Sequence, residues 1–331
     1  MNSFSIQSKI INILKLGRFF FVFGGLFLFL VGALFAVLMG AELNFGKLIF
    51  GYFILFLGHL SVSYSNDYFD FEADKFGEKT SVSGGSGILQ SDPSLRKVSK
   101  WMAISLIMIS IILGFIFTLY YKYSLVFLGY VIFGNLLGWF YTAPPLRLSY
   151  RGLGEISTMI AIGFVVPGMG YFVMRSFIDS NYLLFTIPLL MYGIYFILSV
   201  EIPDMETDTL SGKRSFVTKN GRNLSLKIIF LAALFSSISY SIFHIINLFE
   251  LNINFLIIFV LSWIPLLFSL MGLNNDSKIK SVKIAFKNLN GLILFAFLTN
   301  IYFLIKIIFY INKGDFFMKG CKYGTHRVIN E

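Results

Sequence analysis

Charged residues and cysteine are both scarce in this sequence of 331 residues. Only 13% of the residues are charged, whereas 56% are hydrophobic and 18% are aromatic. This composition excludes an ordinary soluble domain, in which charged residues make up about a quarter of the chain. The single cysteine, Cys321, excludes an internal disulfide and any cysteine-based metal site. What the sequence has instead is a series of long apolar runs.

Nine of these runs are long enough to cross a membrane as helices, since a crossing takes roughly 20 apolar residues. The first run is longer than the core of a signal peptide and lacks a small-residue cleavage site, so we expect a helix of the mature protein. The runs cover residues 19–41, 48–65, 101–121, 123–141, 153–174, 182–200, 226–247, 252–272 and 288–311. They predict an all-α, polytopic membrane protein with one transmembrane domain over residues 1–311 and a polar tail over residues 312–331.

The orientation follows from lysine and arginine in the connections, which prefer the cytoplasmic side. Nineteen of these residues fall on one side of the predicted membrane and three, Lys47, Lys122 and Arg175, on the other. The amino terminus is therefore expected in the cytoplasm. Nine spans would leave the basic tail outside, a conflict that an eight-span or re-entrant end would remove. We expect a protein of the cell membrane, with the lipid bilayer and no nucleic acid among its partners.

Nine of the seventeen acidic residues lie in two short clusters on the predicted cytoplasmic side. Neighbouring carboxylates repel one another and are costly beside a bilayer, so they are expected where a cation compensates them. Spacings of three and four residues place several of them along one helix face, and aligned carboxylates suit Mg²⁺. Two such clusters suggest a diphosphate bridged by metal, and the alternative is a solvated acidic loop. The clusters are Asp67, Asp70, Glu72, Asp74 and Glu78, and then Glu201, Asp204, Glu206 and Asp208.

Basic residues near the acids provide candidate ligands for phosphate. Lys213 and Arg214 lie about one turn beyond Asp208, and Arg147 and Arg151 follow two prolines that fix a turn. Each can bind phosphate oxygens or serve as an ordinary positive charge of the cytoplasmic side. The segment Gly84-Gly-Ser-Gly87 can likewise bring backbone amides to an anion or act as a hinge.

Two motifs then become recognisable: Asn66-Asp-Tyr-Phe-Asp-Phe-Glu-Ala-Asp74 fits NDxxDxxxD, and Asp204-Met-Glu-Thr-Asp208 fits DxxxD. At this separation they resemble the paired signatures of the UbiA superfamily of intramembrane prenyltransferases, over roughly residues 15–311. The resemblance implies about nine helices around a central cavity with cytoplasmic cap loops. It also implies catalysis by the five aspartates of the motifs. The residues implied to hold Mg²⁺ on an allylic polyprenyl diphosphate are Asn66, Asp67, Asp70, Asp74, Asp204 and Asp208.

The resemblance further implies diphosphate binding by Arg18, before the first span, and by Tyr141, at the end of the fourth. Many members of the superfamily have a YxxxK pattern at this place, but here Pro145 follows Tyr141 where the lysine would stand. Arg147 or Arg151 would then supply the cation.

The implied reaction is alkyl transfer led by ionisation of the prenyl diphosphate, in a cavity whose apolar and aromatic walls exclude water. Two polar residues inside the spans are candidates for function. His59, seven residues before Asn66, either points into the cavity or is hydrogen-bonded between helices. Glu155 is a carboxylate at membrane depth, where it needs a partner.

The acceptor is indicated by the segments Ser81-Val-Ser-Gly-Gly-Ser-Gly-Ile-Leu89, Tyr141-Thr-Ala-Pro-Pro145 and Gly152-Leu-Gly-Glu155. They are most similar to the branch that prenylates an aromatic acceptor, 1,4-dihydroxy-2-naphthoate, in menaquinone synthesis. Transfer to a glycerol-phosphate lipid is the alternative within the superfamily. A membrane cation transporter is the alternative from another class. It is disfavoured because both acidic clusters lie at helix ends rather than at mid-membrane. An inactive homologue is disfavoured because every aspartate of both motifs is present.

Overall fold

The computed structural model describes residues 6–77, 85–249, 253–274 and 277–312, and all regular structure within these ranges is helical. The first seven α-helices are α1 (Ile6–Leu16), α2 (Phe19–Leu38), α3 (Phe45–Phe69), α4 (Ile88–Ser91), α5 (Arg96–Tyr120), α6 (Leu125–Thr142) and α7 (Gly154–Ile160). The remaining seven are α8 (Val166–Arg175), α9 (Ser180–Glu201), α10 (Met205–Leu210), α11 (Phe216–Ile245), α12 (Phe255–Leu261), α13 (Trp263–Gly272) and α14 (Lys278–Asn312). A π-helical turn, Ala161–Val165, joins α7 to α8, and a 3₁₀ turn, Ile202–Asp204, joins α9 to α10.

Eight helical segments of the described chain are long and apolar enough to cross a membrane. They are Phe45–Phe69, Pro93–Tyr120, Leu125–Thr142, Gly154–Arg175, Ser180–Leu210, Phe216–Ile245, Phe255–Gly272 and Lys278–Phe309. The shorter apolar segment Val22–Leu38 of α2 adds a ninth. Large apolar side chains such as Ile109, Ile112 and Ile116 on α5 are exposed, as expected of surfaces that face lipid. The predictions of an all-α fold and of about nine helices are confirmed, and the protein is a multi-pass membrane protein.

Two helix boundaries differ from the sequence prediction in an informative way. Helix α3 continues to Phe69 instead of ending near residue 65, so the first part of the NDxxDxxxD motif forms its last turn. Helix α14 begins at Lys278, ten residues before the predicted span, because lysine favours helix although it does not favour lipid. It continues unbroken to Asn312, so the described part of the last span is not re-entrant. The predicted positions Glu78 and Gly84 and residues 313–331 of the tail lie outside the described residues.

Helices α2 and α8 pack with their backbones in close approach. A Cβ atom at Gly32 would collide with the carbonyl of Pro167, and one at Gly170 would collide with the carbonyl of Phe29. Small residues permit this distance, as they do at many interfaces between membrane helices. This contact holds α2 against α8, which forms part of the wall of the cavity described below.

Helix α3 carries the first acidic motif and is fixed to α5 by buried side-chain hydrogen bonds. The Ser110 hydroxyl donates to the carbonyl of Ile54 at 2.9 Å, and the Ser99 hydroxyl donates to the carbonyl of Tyr64 at 2.8 Å. At the start of α3 the Asn44 side chain accepts a hydrogen bond from the amide of Lys47, which caps the helix. The backbone that presents the motif is therefore anchored at both ends.

Candidate active site

A cavity of about 330 Å³ lies between α3, α6, α9 and the α7–α8 segment. Its two ends differ in chemistry. One end is lined by Arg18, Asn66, Asp67, Asp70, Asp74, Asp204, Asp208 and Lys213. The other end is mainly apolar and is lined by Ile54, Val131, Val165, Val166, Met169 and Ile197, among others. The two acidic motifs, which are 130 or more residues apart in sequence, thus meet at one end of an apolar cavity.

Asn66 and Asp67 lie in the last turn of α3 and are held by neighbours from three other segments. The Thr142 hydroxyl donates to Oδ1 of Asn66 at 2.9 Å. Asp67 is 3% exposed, and the amide of Ser86 donates to both of its carboxylate oxygens at 3.3 Å. Arg18 Nη2 lies 3.4 Å from Asp67 Oδ1. The predicted Arg18 therefore contacts the first motif directly.

Asp70 and Asp208 are connected through a single ammonium group, that of Lys213. The Lys213 nitrogen lies 3.1 Å from Asp70 Oδ2 and 3.2 Å from Asp208 Oδ1. Burial alone would lower the pKa of Lys213, but the carboxylates of Asp70 and Asp208 raise it well above its ordinary value. The ammonium group therefore remains charged and bridges the two motifs.

The Tyr150 hydroxyl supplies a second contact to Asp70, donating to Oδ1 at 2.8 Å. Burial first, and then the charge of Asp70, raise the pKa of Tyr150 above its ordinary value, so its hydroxyl keeps its proton and acts as a donor. Sequence reasoning missed this residue, because the contact depends on the turn after α6, which returns Tyr150 to a position 80 residues away in the chain.

Asp74 lies just beyond α3, in the 3₁₀ turn Ala73–Phe76, and also faces the cavity. Burial, followed by the charges of Asp70 and Asp67, raises the pKa of Asp74 to about 7. Gly85 approaches its carboxylate so closely that a Cβ there would collide with Oδ2. The backbone of Gly85 has φ of 66°, a conformation that also favours glycine.

The glutamates inside the two motifs, Glu72 and Glu206, lie outside the cavity lining. Glu206 pairs with the guanidinium of Arg222, which is 3% exposed and also donates from Nε to the carbonyl of Ile202 at 2.8 Å. Glu72 is exposed and pairs with Lys75 at 2.7 Å. These two glutamates therefore stabilise local structure, whereas the aspartates of both motifs line the cavity.

The predicted basic and aromatic residues divide into two groups by position. Tyr141 is half-buried and lines the cavity together with Arg18 and Lys213. Arg147, Arg151 and Arg214 are exposed and lie outside the cavity lining. Arg147 stacks on the ring of Tyr150 at 3.9 Å, and Arg151 donates to the carbonyl of Pro145 at 2.8 Å. The cations that reach the acidic end are therefore Arg18 and Lys213.

Two glutamates lie near the second motif. Glu155 is 8% exposed and accepts a hydrogen bond from the amide of Phe216, which supplies the partner that its membrane depth requires. Glu201 is equally buried and lines the cavity. Its Oε2 atom has no hydrogen-bond partner in the described part of the chain. Sequence reasoning counted Glu201 in the second cluster but assigned it no role, although its place three residues before Asp204 was the available signal.

The acidic end fits a divalent cation by the chemistry of its donors. Carboxylate oxygens from both motifs face one cavity, with water or phosphate able to complete the shell, as Mg²⁺ prefers. In the described residues no three acidic or histidine side chains are already gathered around one metal position. The Lys213 ammonium lies between Asp70 and Asp208 instead.

Comparisons with known proteins agree with this geometry. The profile of the UbiA prenyltransferase family matches residues 25–301. The 1,4-dihydroxy-2-naphthoate octaprenyltransferase of Bacillus subtilis is 28% identical over 157 residues, which are 47% of this chain and 49% of that protein. This match spans about half the length of that curated relative.

Two solved structures have a similar fold. A UbiA homologue from Archaeoglobus fulgidus bound to GPP and Mg²⁺ superposes with a TM-score of 0.62 at 14% identity, covering 87% of this chain and 99% of that one. A digeranylgeranylglyceryl phosphate synthase superposes with a TM-score of 0.56 at 17% identity, covering 87% and 99%. At these identities the likeness establishes the fold.

Proposed function

The chain belongs to the UbiA prenyltransferase family, and from this membership we propose that it transfers a polyprenyl group from an allylic diphosphate to an aromatic acceptor, with Mg²⁺ and release of diphosphate. The observation that carries the proposal is the meeting of the two aspartate motifs, joined through Lys213, at the end of an apolar cavity. The curated relative is a naphthoate octaprenyltransferase, which supports an acceptor of the menaquinone or a related redox-lipid class.

The residues proposed to hold the metal are Asn66, Asp67, Asp70, Asp74, Asp204 and Asp208, which share one end of the cavity. When bound, Mg²⁺ neutralises the diphosphate and stabilises it as a leaving group. Arg18 and Lys213 add positive charge at the same end, where they stabilise the negative charge that develops on the departing diphosphate.

The apolar end of the cavity has the complementary role of holding the prenyl chain and excluding water. Its walls offer Ile54, Val131 and Met169 to the hydrocarbon. The bond from C1 to the diphosphate oxygen breaks, a bond from C1 to a ring carbon of the acceptor forms, and that ring carbon loses a proton or carbon dioxide. Exclusion of water prevents hydrolysis of the allylic cation before the acceptor reacts.

We place the acidic end of the cavity on the cytoplasmic side. The support is the charge asymmetry of the connections, with nineteen basic residues on the side of both motifs and three on the other. Cysteine introduced at the exposed position of Glu72, in a variant that lacks Cys321, tests this orientation. A membrane-impermeant thiol reagent should label it in inside-out vesicles and leave it unlabelled in intact cells.

The proposed reaction is tested with purified protein, geranylgeranyl diphosphate and 1,4-dihydroxy-2-naphthoate, measuring both diphosphate release and prenylated product. Asp70→Asn and Asp208→Asn should abolish the Mg²⁺-dependent product. Glu72→Gln is the matched control, because Glu72 belongs to the first cluster but faces solvent. Equal activity of Asp70→Asn and wild type would contradict the assignment of the site.

Transfer to a glycerol-phosphate lipid is the second candidate, supported by the likeness in fold to the digeranylgeranylglyceryl phosphate synthase. Geranylgeranylglyceryl phosphate offered in the same assay separates the two reactions, because only one acceptor should become prenylated. A cation transporter would instead show ion flux into proteoliposomes that depends on Asp70 without any prenyl transfer.

A further inference from the structure

His59 lies where the main cavity meets a second, apolar pocket between α2 and α14. This side pocket is lined by Gly24, Gly25, Leu28, Leu289, Leu292, Ile293 and Ala296. His59, Ile162 and Phe196 line both spaces. The imidazole therefore lies at the junction of the main cavity and a side pocket whose other lining residues are apolar or glycine.

His59 is half-buried, and it lines both of these spaces. No residue of the described ranges 6–77, 85–249, 253–274 and 277–312 donates a hydrogen bond to it or accepts one from it. The imidazole is therefore able to hydrogen-bond a molecule that enters either space. Neither a structural hydrogen bond between helices nor an ion pair explains its presence.

The space around the ring also depends on the absence of a side chain at Gly25. A Cβ atom there would lie 2.7 Å from Nδ1 of His59 and 2.8 Å from its Cε1. The neighbouring Gly24 makes no such approach, because a Cβ at that position would stay 3.7 Å from Ile293. Helix α2 thus leaves space for the imidazole at Gly25 and makes an ordinary packing contact at Gly24.

The position of His59 along α3 identifies which substrate can reach it. His59, Ser63, Asn66 and Asp70 follow one another at intervals of three and four residues and all line the cavity, so they share one helix face. Seven residues separate His59 from Asn66, which is about 10 Å along the helix axis. A diphosphate held at the aspartates is too far away, and a prenyl chain has no group that hydrogen-bonds an imidazole.

An aromatic acceptor can span the distance from the diphosphate to His59. Three elements lie in series along it: the bond from the diphosphate oxygen to the prenyl C1, the forming bond from C1 to the acceptor, and the acceptor ring. We propose that His59 binds a hydroxyl group of the aromatic acceptor on the side away from the reacting carbon, with the ring against Ile162 and Phe196. This inference rests on the proposed function and adds a residue that determines acceptor specificity. The prenyl chain then occupies the branch towards Val166 and Met169.

The test compares 1,4-dihydroxy-2-naphthoate with 1-hydroxy-2-naphthoate, which lacks the second hydroxyl, by equilibrium binding to the purified full chain under anaerobic conditions. Wild type should bind the dihydroxy compound about tenfold more tightly, the effect of one buried hydrogen bond. His59→Leu should abolish this preference, and His59→Gln, which keeps a hydrogen-bonding group, should restore part of it. Gly25→Ala should weaken the preference because its methyl group displaces the ring.

Matched controls are available elsewhere in the bundle. His244→Leu removes an exposed histidine at the end of α11, and Gly129→Ala adds a methyl group where no atom lies within 4 Å. Both should keep the preference of wild type. In turnover, His59→Leu should raise the KM for the dihydroxy acceptor while the KM for geranylgeranyl diphosphate stays unchanged, a split that a general loss of folding would not produce.

The outcomes separate this inference from the proposed reaction. A preference that survives in His59→Leu overturns the inference, even if prenyl transfer is confirmed, and so does failure of wild type to bind either naphthoate. A preference that depends on His59 in a protein that forms no prenylated naphthoate supports the aromatic hydroxyl site and refutes the proposed reaction.

Discussion

Replacing Lys213 with methionine should destabilise the metal-free protein and leave the Mg²⁺-bound protein much less affected. The ammonium group lies between Asp70 and Asp208, and the three side chains are 16%, 10% and 11% exposed. Solvent therefore screens the two carboxylates only weakly once the cation is removed. Removing one member of a buried, paired set costs about 3–5 kcal/mol, so we expect a loss of about 3 kcal/mol without metal.

Mg²⁺ should reverse most of this loss, because it compensates the same two carboxylates. At a metal concentration 100-fold above its dissociation constant, binding to the folded state contributes about 2.7 kcal/mol. Wild type should gain less from Mg²⁺, since its ammonium group already lies between the motifs. The increase in the free energy of unfolding on addition of Mg²⁺ is thus expected to be larger in Lys213→Met than in wild type.

The assay is unfolding in mixed detergent micelles, followed by tryptophan fluorescence with EDTA or with Mg²⁺. Arg214→Gln is the matched control, because this neighbouring cation is exposed and lies outside the cavity lining. A Lys213→Met variant as stable as wild type in EDTA would refute the bridging role of the ammonium group. A loss that Mg²⁺ does not reduce would refute the idea that metal and lysine compensate the same acids.

Three further predictions follow from the same geometry. Arg18→Gln should raise the KM for the prenyl diphosphate about tenfold, whereas Arg147→Gln should leave it almost unchanged, because Arg18 lines the acidic end of the cavity and Arg147 does not. Steady-state kinetics measure both values. The Mg²⁺ affinity of the substrate-free protein should fall about tenfold for each pH unit below about 7, because Asp74 is then protonated and the metal must displace its proton. Calorimetry at several pH values should show a weaker pH dependence of the Mg²⁺ affinity for Asp74→Asn. Gly170→Ala should destabilise the protein by about 1–3 kcal/mol in detergent unfolding by forcing α2 away from α8, and Gly129→Ala should have little effect.

The acidic end of the cavity was predictable from sequence because its residues follow helical spacing. Asn66, Asp67 and Asp70 share a face of α3 or its continuation, and Asp204 and Asp208 are one turn apart at α10. Two separate acidic clusters in an apolar chain suggested a common cation, and in the structure Asp70 and Asp208 contact the same ammonium group. Composition and helical spacing thus indicated the two clusters, and the family resemblance implied that they share one site.

Contacts that depend on connections between helices were not predictable in the same way. The Ser86 amide reaches Asp67 across 19 residues, and the Tyr150 hydroxyl reaches Asp70 across 80. Arg147 and Tyr150 are three residues apart, yet the turn directs the tyrosine to the acid and leaves the arginine exposed. Such choices are made by backbone geometry at the membrane surface, where no hydrophobic period constrains the side chains.

Helix α3 explains how one rigid element can set the geometry of a two-substrate reaction. Asp70 at its end contacts Lys213, which follows the second motif, and His59 lies on the same face about 10 Å deeper than Asn66. The buried hydrogen bonds from Ser99 and Ser110 fix the helix to α5 at Tyr64 and Ile54, which lie on either side of His59 along the chain. Because backbone hydrogen bonds hold His59 and Asp70 at a constant separation, the distance between a bound diphosphate and the far hydroxyl of an acceptor is set by helix geometry.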